Sequence, residues 1–160
     1  MSIPFLKNFC GLHCTTSELL SVPRPKLELG IGTTFKSVEI GIVVGSVAIP
    51  FLQATLSRIT DPESLKRGAF KGGLAGCYLG LLVGPLIALR RAQMMSNMEI
   101  YEEACLLRSD TTQLIIDRAA TIAGALGYAT FGSSGFIGGV NLAILGCALS
   151  YFFFPDGAKY

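Results

Sequence analysis

The chain has 160 residues, is 51% hydrophobic and 15% charged, and carries a formal net charge of +2. Its mean hydropathy is +0.54. Water-facing domains carry about 25% charged residues, so this chain is short of charge for a fully solvated surface. Its length suits one domain, and the scattered basic residues exclude a nucleic-acid stripe. A membrane protein is the primary reading, with a very apolar soluble bundle as the alternative.

Residues 1–35 read as an extramembrane segment. They hold Pro4, Pro23, Pro25, Cys10, Cys14 and the sole histidine, His13, without a sustained apolar run. A secretory signal needs a basic start and 7–15 apolar residues, which the opening MSIPFLKNFCGLHC lacks. It also lacks the arginines of a mitochondrial presequence, so an organelle signal would be internal. Cys10-Gly-Leu-His13-Cys14 offers three clustered ligands, whereas structural zinc takes four, usually as two pairs; no metal site is expected. A disulfide involving Cys10 or Cys14 is open to an N-terminus facing an oxidising compartment.

Three uncharged runs follow: 18 residues from Ile40 to Ser57, 18 from Gly72 to Leu89, and 37 from Ala119 to Pro155. At 1.5 Å per residue each of the first two spans about 27 Å, close to the bilayer hydrocarbon thickness. Gly132-Ser133-Ser134-Gly135 divides the third as a tight turn. The expectation is an all-α integral membrane bundle of four transmembrane helices, roughly 36–58, 66–92, 112–131 and 135–154. Together they form a 36–155 membrane domain with a short 156–160 tail, and three spans is the fallback.

Small residues mark every span. Gly68, Gly72, Gly76, Gly80 and Gly84 stand four apart, with Gly73 beside the second. Residues at i and i+4 share a helix face, and small ones let membrane helices approach closely. Gly41 and Gly45 form a similar pair in the first span, Gly124 and Gly127 pair with Ala120 and Ala123 in the third, and Gly135 and Gly139 lie in the fourth. The ladder of the second helix is expected against the first or fourth helix, and Pro50 and Pro85 are expected to kink theirs.

Between the first two spans, Asp61-Pro62 reads as a helix start, with proline at the first helical position and Asp61 or Thr60 as cap. The 58–71 and 90–118 connections each hold four basic residues. Their greater density in the shorter loop places it in the matrix or cytoplasm, with both termini opposite. Met98, Tyr101, Cys105, Leu114 and Ile115 in the longer connection suit an amphipathic helix on the membrane or a partner, or an extension of a neighbouring span. Lys36 with Glu39, and Asp117 with Arg118, mark span starts, where interfacial anchoring outweighs an intramembrane role. Gln53 and Asn141 read as interhelical hydrogen-bonding groups. His13 lies in a proline-flanked tail, with no base placed for nucleophilic catalysis. The glycine ladder lacks the Lys-Ser/Thr of a phosphate loop. Neither an enzyme nor a cofactor is expected.

Arg58, Asp61-Pro62 and then Gly68-Ala69, Gly72-Gly73 and Gly76 resemble the signature of the Tim-type family of mitochondrial inner-membrane proteins. Arg58 and Asp61 stand one residue closer than in that pattern, and Ala69 sits where glycine is expected. The family comprises presequence and carrier translocase subunits and an accessory membrane subunit of respiratory complex I. The resemblance covers about residues 40–90 and implies a multi-pass protein of the mitochondrial inner membrane. The expected function is a non-catalytic accessory subunit of complex I (NADH:ubiquinone oxidoreductase) stabilising its membrane arm; the alternative is a translocase subunit. Expected partners are other membrane subunits and phospholipid such as cardiolipin.

Overall fold

The computed structural model describes residues 3–56, 58 and 61–153. Helices are the only regular secondary structure among those residues. The order is α1 (Ile3–Phe9), α2 (Thr16–Leu20), α3 (Pro25–Leu56), α4 (Pro62–Met94), α5 (Asn97–Ser109) and α6 (Thr111–Phe153). Three of them, α3, α4 and α6, are long and apolar enough to cross a membrane. The 156–160 tail and the alternative cap Thr60 lie outside the described residues.

The helix starts follow local chemistry. Pro25 opens α3 well before residue 36, because a fixed φ and a missing N–H suit the first helical turn. Lys26, Glu28, Lys36 and Glu39 lie ahead of the uncharged run, and the helix passes through all four. Asp61 caps α4: its side chain accepts from the Ser64 backbone N–H at 3.1 Å, and Pro62 follows at the first helical position. Arg58, before it, turns the chain with φ +50°, in the left-handed region. Both α3 and α4 stay helical through Pro50 and Pro85.

The element α6 is two helices meeting at Gly132, whose φ of +65° and ψ of −147° open only to glycine. The chain folds back there, since a Cβ on Gly127 would overlap the Gly135 carbonyl, and one on Gly139 the Ala123 carbonyl. Buried Ile42, Ala120, Ile137 and Val140 join α3 to both arms of this hairpin, with Phe70 and Cys77 of α4 packed alongside. Asn141 donates to Ser46 Oγ at 2.9 Å across that junction. Gln53 makes no such bond: its Oε1 is buried without a partner against Gly68.

Candidate functional site

Two regions organise the molecule. The first is the seam between α3 and α4. Gly76 meets Gly41, Gly72 meets Gly45, Gly80 meets the Ser37 carbonyl and Gly84 meets Thr34 Cα. At each, a Cβ would fall on backbone of the facing helix. These pairings run in opposite directions along the two chains, so α3 and α4 are antiparallel. Gly68 is covered by Gln53, and Gly73 by Ile137 and Ser46. Gly124 lies against Val140 and Phe136, inside the α6 hairpin. The ladder of α4 is therefore filled from within the chain, with no open face left for a separate neighbour.

The second region is a polar cap at the α3 N-terminal end. Arg108 on α5 and Glu28 on α3 are 2% and 1% exposed. The guanidinium grips the carboxylate at both oxygens, Nε to Oε2 at 2.8 Å and Nη2 to Oε1 at 2.6 Å. Burying two charges costs several kcal/mol each, and only such paired, multiply bonded geometry offsets it. Arg108 Nη1 also donates to the carbonyls of Glu18, Leu19 and Ser21, at 3.0, 3.2 and 3.0 Å. These carbonyls lie at the C-terminal end of α2, where helical partners run out.

Arg118 repeats the device on α1. Its Nε donates to the Phe9 carbonyl at 2.8 Å, and its Nη2 donates to the Asn8 carbonyl. Asn8 in turn donates to the Arg108 carbonyl at 2.8 Å, and Tyr101 donates to the Leu20 carbonyl. Phe9 packs edge-on against Phe35 of α3, with ring centroids 6.0 Å apart. Desolvation and the adjacent Cys105 hold the Tyr101 phenol above its ordinary value. The cap thus ties α1 and α2 to α3, α5 and α6 through arginines that the chain supplies much later.

The helix α5 is a separate element, not an extension of a span. Ser96 and Glu99 form a capping box at its start, and Asp110 ends it while accepting from the Gln113 N–H of α6. Its buried face is Ile100, Ala104 and Arg108 rather than the expected Met98, Tyr101 and Cys105; Met98 is 66% exposed. That face packs on the same chain, with Leu107 resting on Gly32 of α3. Cys10 and Cys14 are both free thiols, and Cys14 points its sulfur at the Pro4 carbonyl, 3.8 Å away. Arg58 is exposed and Pro62 sits in the α4 first turn, so the loop signature acts locally.

Near the cap, Glu39 is 8% exposed and its Oε1 has no hydrogen-bond partner. Lys36 on the same helix and Asp117 on α6 lie within electrostatic reach, and Gln113 donates to Asp117 at 2.6 Å. A polar groove of about 630 Å³ opens beside them, lined by Thr33, Lys36, Ser37, Asp110 and Gln113 among others.

Seam and cap together define an all-helical protein with three candidate membrane-crossing elements, closed at one end by the buried Arg108 and the half-buried Arg118. The chain belongs to the family described as Protein of unknown function (DUF1757), which it matches over residues 5–150. No curated protein matches it in sequence.

Proposed function

We propose that this chain is a non-catalytic structural subunit of a mitochondrial inner-membrane complex, crossing the bilayer four times with glycine-packed interfaces, and that the complex is respiratory complex I. The observation that carries this reading is the surface of the long helices. Only 11%, 33% and 11% of the apolar windows of α3, α4 and α6 are buried within the chain. Leu82 and Leu86 on α4, and Leu142 and Leu145 on α6, face outward. In water such a continuous apolar surface would aggregate; in a bilayer it meets lipid tails and the spans of neighbouring subunits. The resemblance of Asp61-Pro62 and the following glycines to the Tim-type signature supplies the compartment and the complex. The two arms of α6 supply the third and fourth crossings.

A translocase subunit is the second reading, and the polar groove beside Lys36 and Gln113 favours it. That groove lies at the cap end, whereas a translocation path would run along the spans, so the structural role ranks first. Purification in mild detergent, native electrophoresis and mass spectrometry test the two. Co-migration with respiratory subunits is expected; co-migration with translocase subunits would replace the first reading by the second.

A further inference from the structure

The seam fixes how the uncharged runs of α3 and α4 lie beside each other. Gly76 meets Gly41 and Gly72 meets Gly45, so the α4 run, which begins at Gly72, starts level with Gly45. From there to Leu56, α3 stays uncharged for about 17 Å at 1.5 Å per residue. Val47 and Phe51 on that stretch are each 65% exposed, and Leu56 is 77% exposed. The stretch of α4 alongside carries Lys66, Arg67 and Lys71 instead. At one depth, therefore, the hairpin is apolar on its α3 flank and cationic on its α4 flank.

Arg67, Lys71, Tyr78 and Leu82 stand four, seven and four residues apart, which places them on one face of α4. All four are exposed, while the glycine ladder is buried. Glu63 holds Arg67 at 3.5 Å, but Lys71 makes no ion pair among the described residues. An unpaired ammonium facing lipid tails is costly, and cations within a membrane pair with other groups. Near a span end, lysine avoids that cost by snorkelling to the headgroups. Lys71 stands about 17 Å from the Leu56 end of the apolar α3 flank, more than half of a ~30 Å hydrocarbon core. In the other direction α4 itself is uncharged for 18 residues, from Gly72 to Leu89. A headgroup phosphate is out of reach both ways, and a carboxylate brought by another helix is the complementary chemistry.

We propose that this outward face of α4 seats a transmembrane helix of a different subunit, which sets an Asp or Glu carboxylate against Lys71, with Tyr78 and Leu82 continuing the contact. The inference rests on the reading of the chain as a subunit of a membrane complex, and its test keeps the two apart. Variants replace the wild-type chain in its own membranes, which are solubilised in mild detergent and run on native electrophoresis. Lys71→Leu is expected to lower the complex-bound fraction about tenfold or more, and Lys71→Arg to keep it. Both isolated chains should unfold in detergent as wild type does, since Lys71 makes no ion pair within the chain. A membrane-permeant carbodiimide, which activates a carboxyl for attack by a neighbouring amine, should join Lys71 to an acidic residue of the other subunit. Mass spectrometry locates that link, and it decides alone where Lys71→Leu destabilises the isolated chain. Full assembly of Lys71→Leu would overturn the proposal, as would a link to a carboxyl of this chain. Labelling of Lys71 in the assembled complex by a membrane-impermeant amine reagent would overturn it too, by showing that it faces water. A wild-type chain that migrates alone sinks the parent reading as well, whereas an assembled chain indifferent to Lys71→Leu sinks only this contact.

Discussion

The α3–α4 seam and the polar cap solve the same problem, joining distant parts of one chain, by opposite means. The seam uses no side chains at its closest points; glycine lets backbone rest on backbone, and the gain is dispersion spread over many contacts. The cap concentrates its binding in two arginines, which between them satisfy carbonyls of both N-terminal helices. A seam of this kind is intolerant of any added atom. A cap of this kind is intolerant of losing one particular side chain. The first fails by steric clash and the second by orphaned charge.

The largest effect should come from adding one carbon to the seam. The Cβ of Gly76→Ala falls on the Gly41 carbonyl, where helix backbone rather than a movable side chain must give way. A loss of about 3 kcal/mol or more is expected, at or beyond the upper end for overpacking. Gly30→Ala is the control: it meets nothing and should stabilise by about 0.5–1 kcal/mol. Thermal unfolding in detergent measures both. If the two variants shift in the same direction, the seam is no tighter than the open space beside Gly30 and the contrast collapses.

Next in size is Arg108→Met. Removing one partner leaves Glu28 charged and buried, a loss of about 3–5 kcal/mol, and also strips three carbonyls at the end of α2 of their donor. The double variant Glu28→Met with Arg108→Met separates these contributions. It should recover the ionic part, since a buried pair exchanged for apolar residues is often neutral, yet leave α2 loosely held. Limited proteolysis reads this directly, with cleavage between residues 10 and 24 accelerated in both variants. A double variant as protected as wild type would show that Arg108 serves the ion pair alone.

The contrast also explains what was legible beforehand. Helix starts and turns are written locally: Asp61-Pro62 caps α4 within three residues, and Gly132 supplies a φ few other residues adopt. The α5 face was misread because a periodicity count takes arginine as polar, whereas Arg108 is the most buried large side chain of that face alongside Ile100. The early start of α3 was hidden for the same reason. Lys26, Glu28, Lys36 and Glu39 keep residues 25–39 out of the uncharged run, yet Glu28 is neutralised inside the fold by a partner 80 residues away. No spacing rule links those two positions. Glu39 stood out from the beginning as a charge at a span start, but only the folded chain shows its carboxylate oxygen without a partner.

The smallest predicted effect is acid loosening at the edge of the cap. Glu99 accepts from the Ser96 backbone N–H at 2.6 Å, and that bond first, with the Ser96 side chain second, holds its carboxyl below the ordinary value. The folded state therefore binds the proton less readily than the unfolded state. The contribution of this box is complete above the unfolded value and is lost as the pH falls through the folded one. Glu18 stands in the same position at α2, lowered first by its bond from the Thr15 backbone N–H. Amide exchange at the first turns of α5 and α2 should quicken relative to the seam between about pH 6 and about pH 3, once the intrinsic rate is divided out. Glu99→Gln keeps an acceptor in the box and should remove the acid response from α5 while leaving it in α2. An acid response that survives in α5 of that variant would place its origin elsewhere in the cap, and the division between a pH-sensitive cap and an indifferent seam would have to rest on other residues.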